Sequence, residues 1–322
     1  MMTEIGRQRL VEVPVPAIER DDDVLLRVRA AGVCGSDLHG YIGASGRRTP
    51  PLVMGHEATA EVVTTGRAVA DLTPGTRVAI HPLEVLDTGR RLMGMDVQGA
   101  FADYVVWPAG RLFPLPDTLS FEAGALTEPL AVTVHAVNRA QITPHESAFV
   151  AGAGPIGLLT LAVLKERGVE RVLVSDLSDD RLEIARRMGA QTVHPKNGDL
   201  TEAVAGFTDG RGVDVSFEAV GISATVQQSV AAVKDGGRVV WIGNNEKIVE
   251  VDMQAVVTRE LTVLGTYGMT DDEFRRALEL LATGHVPADQ LINHQVTLAE
   301  GPALFDELLA SPEIIKCIIE FA

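Results

Sequence analysis

Four side chains in the first part of the chain offer the donor types of a catalytic zinc site: the thiolate of Cys34, the imidazole of His56, and the carboxylates of Glu57 and Glu128. Catalytic zinc uses such ligands and keeps one position open for water or substrate. Spacing alone does not bring them together. Taken singly, a cysteine is a small buried hydrophobe, a histidine is a structural one, and Glu128 is an acid near a helix start. A second constellation is local. Ala151-Gly152-Ala153-Gly154-Pro155-Ile156-Gly157 follows the apolar run Ser147-Ala148-Phe149-Val150 and opens a helical run from Leu158 to Arg167. A further run, Val172-Leu173-Val174, leads to Asp176. Strand, glycine turn, helix, strand and acid together form a dinucleotide-binding fingerprint. Gly152 permits the turn, Gly154 lets the backbone approach a pyrophosphate, and Gly157 lets helix and strand pack. The helix start, with Pro155 and Ile156, offers free N–H groups and partial positive charge to phosphate. Asp176 is placed to accept from a ribose 2′-hydroxyl. The alternative is a glycine-rich turn that binds nothing.

The elements that must position these groups fall into two parts. Residues 1 to about 128 pattern as strands and turns: Val24 to Ala30, Ala58 to Val63 and Arg77 to Ile80, with the reversal Thr73-Pro74-Gly75 between the last two. From Pro129 the pattern changes. A helix over Leu130–Ala140 leads to the glycine turn, and strands then alternate with helices through Leu261–Leu264. Alternation of this kind predicts a doubly wound parallel sheet with right-handed crossovers. A helix over Asp272–Ala282, a strand near Gln290–Val296, a helix over Leu298–Leu309 and a last strand over Ile314–Phe321 close the chain. The expected fold class is α/β: a mostly-β domain built from both chain ends, residues 1–128 and 267–322, around a dinucleotide-binding domain at 129–266.

At 322 residues the chain is too long for one ordinary core, so two domains are expected. The formal net charge of −16 disfavours nucleic acid and anionic membrane as partners, since both need a basic face. Two cysteines cannot make a disulfide framework, and a reducing cytoplasm fits. The longest apolar stretch, Ala151 to Leu164, is too short and too glycine-rich to span a bilayer.

The set resembles the zinc-containing medium-chain dehydrogenase/reductase superfamily, and within it the polyol (sorbitol-type) branch. The matching words are Gly-Val-Cys-Gly-Ser-Asp-Leu-His at 32–39, Met-Gly-His-Glu at 54–57 and Pro-Gly-Thr-Arg-Val at 74–78. Gly-Ala-Phe-Ala-Asp-Tyr-Val at 99–105, Glu-Pro-Leu-Ala-Val at 128–132 and the glycine turn at 151–157 follow in the family's order. The resemblance implies a GroES-like catalytic domain beside a Rossmann domain. It implies that Cys34 and His56 ligate zinc, that Glu57 is a ligand or supports one, and that Glu128 is the third protein ligand of the polyol branch. Ser36 matches the hydroxyl that passes on the alcohol proton. His39 lies where relatives place a relay or substrate-side histidine, or is a surface residue of a short helix. Tyr41 flanks the pocket or merely packs. The strand end Phe217-Glu218-Ala219-Val220-Gly221 and the segments Ile242-Gly243 and Gly265-Thr266-Tyr267 line the nicotinamide side. The implied activity is hydride transfer from a small-molecule secondary alcohol (a polyol, cyclitol or sugar-like compound) to NAD, by a homo-oligomer, dimer or tetramer. Zinc on the alcohol oxygen lowers its pKa, and the cofactor does the redox step.

Two departures and one preference complete the sequence reading. Relatives carry a four-cysteine structural-zinc lobe where this chain has the cysteine-free segment 82–93, so one catalytic zinc and no structural zinc is expected. The strand that precedes Gly6-Arg7-Gln8 is short. Arg47, Arg48, Arg90 and Arg91 pattern as solvated loop arginines, with an acidic or phosphate group on a substrate as the alternative. Asp176, followed by Leu177 and Ser178 with no cation, favours NAD over NADP, while Arg181 covers the adenine or sits on the surface. Two rivals stay open: a zinc-free quinone or enone reductase of the same fold, and a dinucleotide-binding protein without turnover.

Overall fold

A computed structural model describes residues 1–87 and 89–322; Thr88, inside the cysteine-free segment, lies outside the described residues. The chain divides into two compact units, Met1–Glu128 with Phe274–Ala322, and Pro129–Glu273. The first boundary coincides with the sequence expectation. The second falls after Glu273 rather than after 266, and the reason is a local tie. Helix Asp271–Ala282 is held by its first turn: Glu273 accepts from Asn138 Nδ2 at 2.9 Å and lies 2.9 Å from His135 Nδ1, both on helix Thr127–Ala140.

The first unit is a seven-stranded, mostly antiparallel sheet. Its central strand, Asp23–Gly32, pairs with Glu57–Thr65, with Tyr104–Pro108 and with the C-terminal strand Lys316–Glu320. That last pairing is how the two chain ends make one unit. Val24, Leu26 and Val28 are fully buried while Arg27 between them is exposed, the period-two pattern of a strand with one face on a core. Each such side chain contributes roughly 1.5–3 kcal/mol relative to exposure. The register sets the site: Gly32 lies opposite Glu57, so the segment leaving one strand at Cys34 and the segment entering the next at His56 are neighbours.

The second unit is a six-stranded parallel sheet. Its strands run in the order Gln191–Val193, Arg171–Ser175, Ser147–Ala151, Val213–Glu218, Val233–Trp241, Thr262–Gly265. Numbered along the unit this is 3-2-1-4-5-6, the doubly wound order with its switch point beside the first strand. Ser147–Ala151 is buried throughout, as expected of a strand covered on both faces.

Segment 83–92 forms a hairpin of Leu83–Leu86 and Gly89–Leu92. Its anchor is Glu84, 5% exposed, which accepts from Arg20 Nη1 at 2.7 Å and Arg91 Nε at 2.5 Å. Arg91 also lies over the Trp107 ring at 5.4 Å, so it is a tethered residue and not the solvated loop arginine expected from sequence. Glu84→Gln removes the charge from between two guanidiniums and is expected to cost roughly 1–3 kcal/mol. The unfolding midpoint in urea measures this, and an unchanged midpoint would show that the hairpin is held by other contacts.

Candidate active site

The first unit gathers three of the four expected donors. One ligand atom each from Cys34, His56 and Glu57 lie within 4.8 Å of one another, with His56 and Glu57 buried. Cys34 is the N-cap of helix Gly35–Tyr41, its Sγ facing Ser36 N at 3.5 Å. Asp37 completes a capping box by accepting from Cys34 N at 3.1 Å. The same carboxylate stands 3.6 Å from His56 Nδ1, an otherwise unpartnered buried atom. Asp37 thereby stands beside the imidazole as a carboxylate does behind a metal-ligating histidine. Glu57 is paired with the buried Lys316, whose Nζ also donates to Val33 O at 3.1 Å. Glu128, second residue of helix Thr127–Ala140 and half-buried, stands outside the triplet but within electrostatic reach of His56, Glu57, Lys316 and Asp37.

The electrostatics fit a cation. Burial is the largest influence on His56, Asp37 and Glu128. It opposes charge on His56, yet Asp37 and Cys34 outweigh it and raise the imidazole well above its usual value. Burial likewise opposes ionisation of Asp37, but His56 and Arg48 hold it below the usual carboxylate range. Burial pushes the Glu128 carboxyl up to about 7, with His56 opposing and Glu57 adding to the rise. A thiol and three carboxyl groups thus lie within electrostatic reach of one imidazole, with Lys316 and Arg48 as permanent counter-charges. A divalent ion supplies what such a set lacks, and soft sulfur with nitrogen and oxygen donors suits zinc.

Ser36 and His39 share the helix with Asp37, Ser36 in its first turn and His39, half-buried, in its last. Tyr41 packs, the second of its two expected roles. It is 3% exposed, donates to Gly6 O or Asp306 Oδ1 at 2.9 Å and packs on Phe305 with ring centroids 5.2 Å apart. Arg48 is 4% exposed and bound to Ser36 and Asp37, which corrects its assignment as a solvated loop residue.

In the second unit the glycine turn has the geometry its residues require. Gly152 has φ +100° and a Cβ there would lie 2.5 Å from Val220 Cγ2; at Gly157 a Cβ would lie 1.8 Å from Gly152 O. Gly154 instead is open, with only Arg181 Nη1 at 3.8 Å from its missing Cβ, so space is left in front of the N-terminus of helix Pro155–Glu166. The helix begins at Pro155 rather than Leu158, because proline at its first position needs no N–H partner. Asp176 Oδ2 accepts from Ala153 N at 2.6 Å and Oδ1 from Ser178 N at 2.9 Å, leaving lone pairs on both oxygens. Ile242, Gly243 and Thr266 line one cavity of about 350 Å³ with Trp241, Gly265 and Tyr267. Val220 stands against Gly152 in the turn that follows strand Val213–Glu218.

Two residues that shape these sites, Asp37 and Lys316, were given no role by the sequence reading. Asp37 had a signal, the cysteine-to-acid spacing of a capping box. Lys316 had one too, a lone cation within an otherwise apolar final strand. Glu218, fully buried, accepts from Val220 N at 2.9 Å, Gly221 N at 2.7 Å and Thr225 Oγ1 at 2.6 Å, and so fixes the turn beside the cavity. Arg48 was read as a solvated or substrate-facing loop arginine, and its contacts with Ser36 and Asp37 depend on loop geometry.

A donor cluster of this kind in one unit and a dinucleotide turn in the other are the two working parts of a metal-dependent dehydrogenase. Comparisons with known proteins agree. Residues 20–117 match the alcohol dehydrogenase GroES-like domain, and residues 155–283 match the zinc-binding dehydrogenase domain. Sorbitol dehydrogenase of Bacillus subtilis is 32% identical over 91% of this chain and 88% of its own length. The crystal structure of 2R,3R-butanediol dehydrogenase from Bacillus subtilis superimposes with a TM-score of 0.91 at 31% identity, covering 99% of this chain and 98% of that one. A structure from Sinorhizobium meliloti 1021, described as a zinc-binding dehydrogenase and bound to NADP, has a TM-score of 0.92 at 33% identity with the same coverage. The chain belongs to the zinc-containing medium-chain dehydrogenase/reductase family.

The two glycines are expected to separate on substitution. Gly157→Ala forces backbone apart and destabilises the second unit by several kcal/mol, whereas Gly154→Ala leaves the unfolding midpoint close to wild type. Equal midpoints for the two variants would contradict the packing described.

Proposed function

We propose that this protein is an NAD-dependent zinc dehydrogenase that oxidises a secondary alcohol of a polyol, cyclitol or sugar-like compound to the ketone. The observation that carries the proposal is the convergence of Cys34, His56 and Glu57 beside the Ser36 hydroxyl on one short helix. A zinc-free enone reductase has no use for such a donor set, and a dinucleotide-binding protein without turnover has no use for the serine. The names of its relatives, sorbitol and butanediol dehydrogenases, support a vicinal or polyhydroxylic substrate.

Zinc supplies Lewis acidity toward the substrate hydroxyl, and the nicotinamide accepts hydride. The protein's own groups do the rest. Cys34, His56 and a carboxylate hold the ion. Asp37 fixes the tautomer and orientation of His56. Lys316 neutralises Glu57 and competes for its oxygen, which favours Glu128 as the third ligand. Ser36 accepts the substrate hydroxyl proton while releasing its own hydrogen outward, with His39 further along the helix as a relay or substrate-side group. In the second unit, the N–H groups of Gly154 and Ile156 belong to the phosphate-facing turn, and Pro155 contributes only its fixed φ. Asp176 takes the ribose hydroxyls, Arg181 flanks the turn, and Val220, Ile242, Gly243 and Thr266 wall the nicotinamide side.

NAD is favoured over NADP because a 2′-phosphate would meet the Asp176 carboxylate; the NADP-bound relative shows that the fold itself tolerates either. A single zinc is favoured because the chain's other cysteine, Cys317, is buried in a strand, where burial pushes its thiol up to about 12. A cytoplasmic setting is supported by two free thiols, and no helix among the described residues is long and apolar enough to cross a membrane. A homo-oligomer is supported by strand Thr262–Gly265 at the end of the parallel sheet, with Val257 and Tyr267 exposed nearby.

Metal analysis and a donor screen test the proposal together. About one zinc per chain is expected, with NAD reduction on polyols, cyclitols or diols that disappears on exhaustive chelation. Full activity after chelation would refute the mechanism. Cys34→Ser should lose metal and turnover while keeping NAD binding. Because metal binds only the ionised carboxylate and Glu128 titrates at about 7, zinc affinity should weaken as pH falls below neutrality. Asp176→Ala is expected to raise the Michaelis constant for NAD about tenfold and to narrow the preference over NADP; an unchanged cofactor ratio would remove Asp176 from its assigned role.

A further inference from the structure

Arg48 sits in the loop between the Cys34 helix and His56, and its guanidinium is committed to the relay end of that helix. Nη1 donates to the Ser36 carbonyl oxygen at 2.5 Å, and Nη2 donates to Ser36 Oγ at 3.2 Å and to Asp37 Oδ1 at 2.8 Å. Nε donates to Gly94 O at 3.2 Å, which anchors the base of the fork. The side chain is 1% exposed. Room for it is built into the sequence: a Cβ at Gly40 would lie 2.3 Å from Arg48 Cδ, so only glycine lets the arginine lie along the helix.

The chemistry of the contact is one-sided. A guanidinium only donates, so Ser36 Oγ must accept from it and spends one of its two lone pairs there. The second lone pair and the hydroxyl hydrogen remain. Asp37 is the strongest acceptor in the neighbourhood, but its Oδ1 is occupied by Arg48 and faces His56, and its Oδ2 accepts from Cys34 N. The arginine therefore separates the serine hydroxyl from the one carboxylate that would trap its hydrogen. It also neutralises that carboxylate's pull on a proton in transit.

We propose that Arg48 is a positioning residue for the proton relay: it holds the Ser36 hydroxyl with its hydrogen turned away from Asp37 and one lone pair open to the substrate hydroxyl. This rests on the assignment of Ser36 as the relay. In the transfer, Ser36 Oγ gains the substrate proton as its own hydrogen leaves to water. Arg48 keeps all of its protons, so the step balances without further reactants.

A double-mutant cycle separates this from a structural role. The variants are Ser36→Ala, Arg48→Gln, Arg48→Lys and the Ser36→Ala/Arg48→Gln pair, assayed with NAD on butane-2,3-diol and sorbitol. Ser36→Ala should lower kcat by about 100-fold with KM little changed. Arg48→Gln should lower kcat about tenfold or more in the wild-type background and less than twofold in the Ser36→Ala background, and Arg48→Lys should fall between. In a crystal structure of Arg48→Gln, a readout independent of turnover, the Ser36 hydroxyl should move onto Asp37. Zinc content, and NAD affinity of the metal-stripped protein, should match wild type. An equal loss in both backgrounds, an unmoved serine, or lost zinc would overturn the inference while leaving the relay standing. An undiminished rate in Ser36→Ala would overturn the relay and this inference with it. If Arg48→Gln does not fold, Arg48→Lys carries the same cycle.

Discussion

The buried carboxylate of Asp37 is the constraint on which the site in the first unit depends. It is fully buried and serves three groups from three stretches of chain: Cys34 N, the Arg48 guanidinium, and His56 at 3.6 Å. A buried charge persists only when paired and hydrogen-bonded. Here each partner also gains: the cysteine is fixed as a helix cap, the arginine is fixed across the helix, and the histidine is fixed in orientation. Removing the carboxylate would leave Arg48 an uncompensated charge and His56 without its nearest orienting group. One short segment, Cys34 to Asp37, therefore carries a donor, a hydroxyl and the anchor of both.

The same economy explains why the chain needs its two ends together. Lys316 arrives on a strand that pairs with the strand leading to Cys34, and it is the only ammonium partner of Glu57 among the described residues. Burial opposes charge on Lys316, and Glu57 with Cys34 and Glu128 outweighs that penalty and raises its pKa. The cation and the acidic donors stabilise one another's charged forms. Without the C-terminal strand, Glu57 would be a buried carboxylate with no counter-charge beside the donor cluster.

What was legible in the sequence follows the range of each interaction. The dinucleotide turn could be recognised from its residues because strand, turn, helix and acid are contiguous, and each glycine answers to a neighbour within a few residues or one strand over. The doubly wound parallel sheet followed from alternation, while its strand order comes from the structure. The donor cluster was not legible from spacing, since Cys34 and His56 meet through the register of two strands; only resemblance joined them. Arg48 was misplaced for the same reason, and Tyr41 was left undecided between pocket and packing. An aromatic near a site and an arginine in a loop have ordinary exposed roles, and only tertiary packing sends one to the Phe305 core and the other under the helix. The later unit boundary was hidden because Glu273 ties to His135 and Asn138 far back in the chain.

Glu57 and Glu128 illustrate how one pocket can give two chemically similar acids different duties. Glu57 sits at the start of a central strand, opposite Gly32, with Lys316 on one oxygen. Glu128 sits in the first turn of a helix, where the backbone dipole favours a carboxylate, but burial and the neighbouring Glu57 drive it the other way, up to about 7. The first acid already has a fixed cation; the second has none of its own and remains poised between protonated and ionised. The two acids therefore differ in their electrostatic surroundings, and not only in their place along the chain.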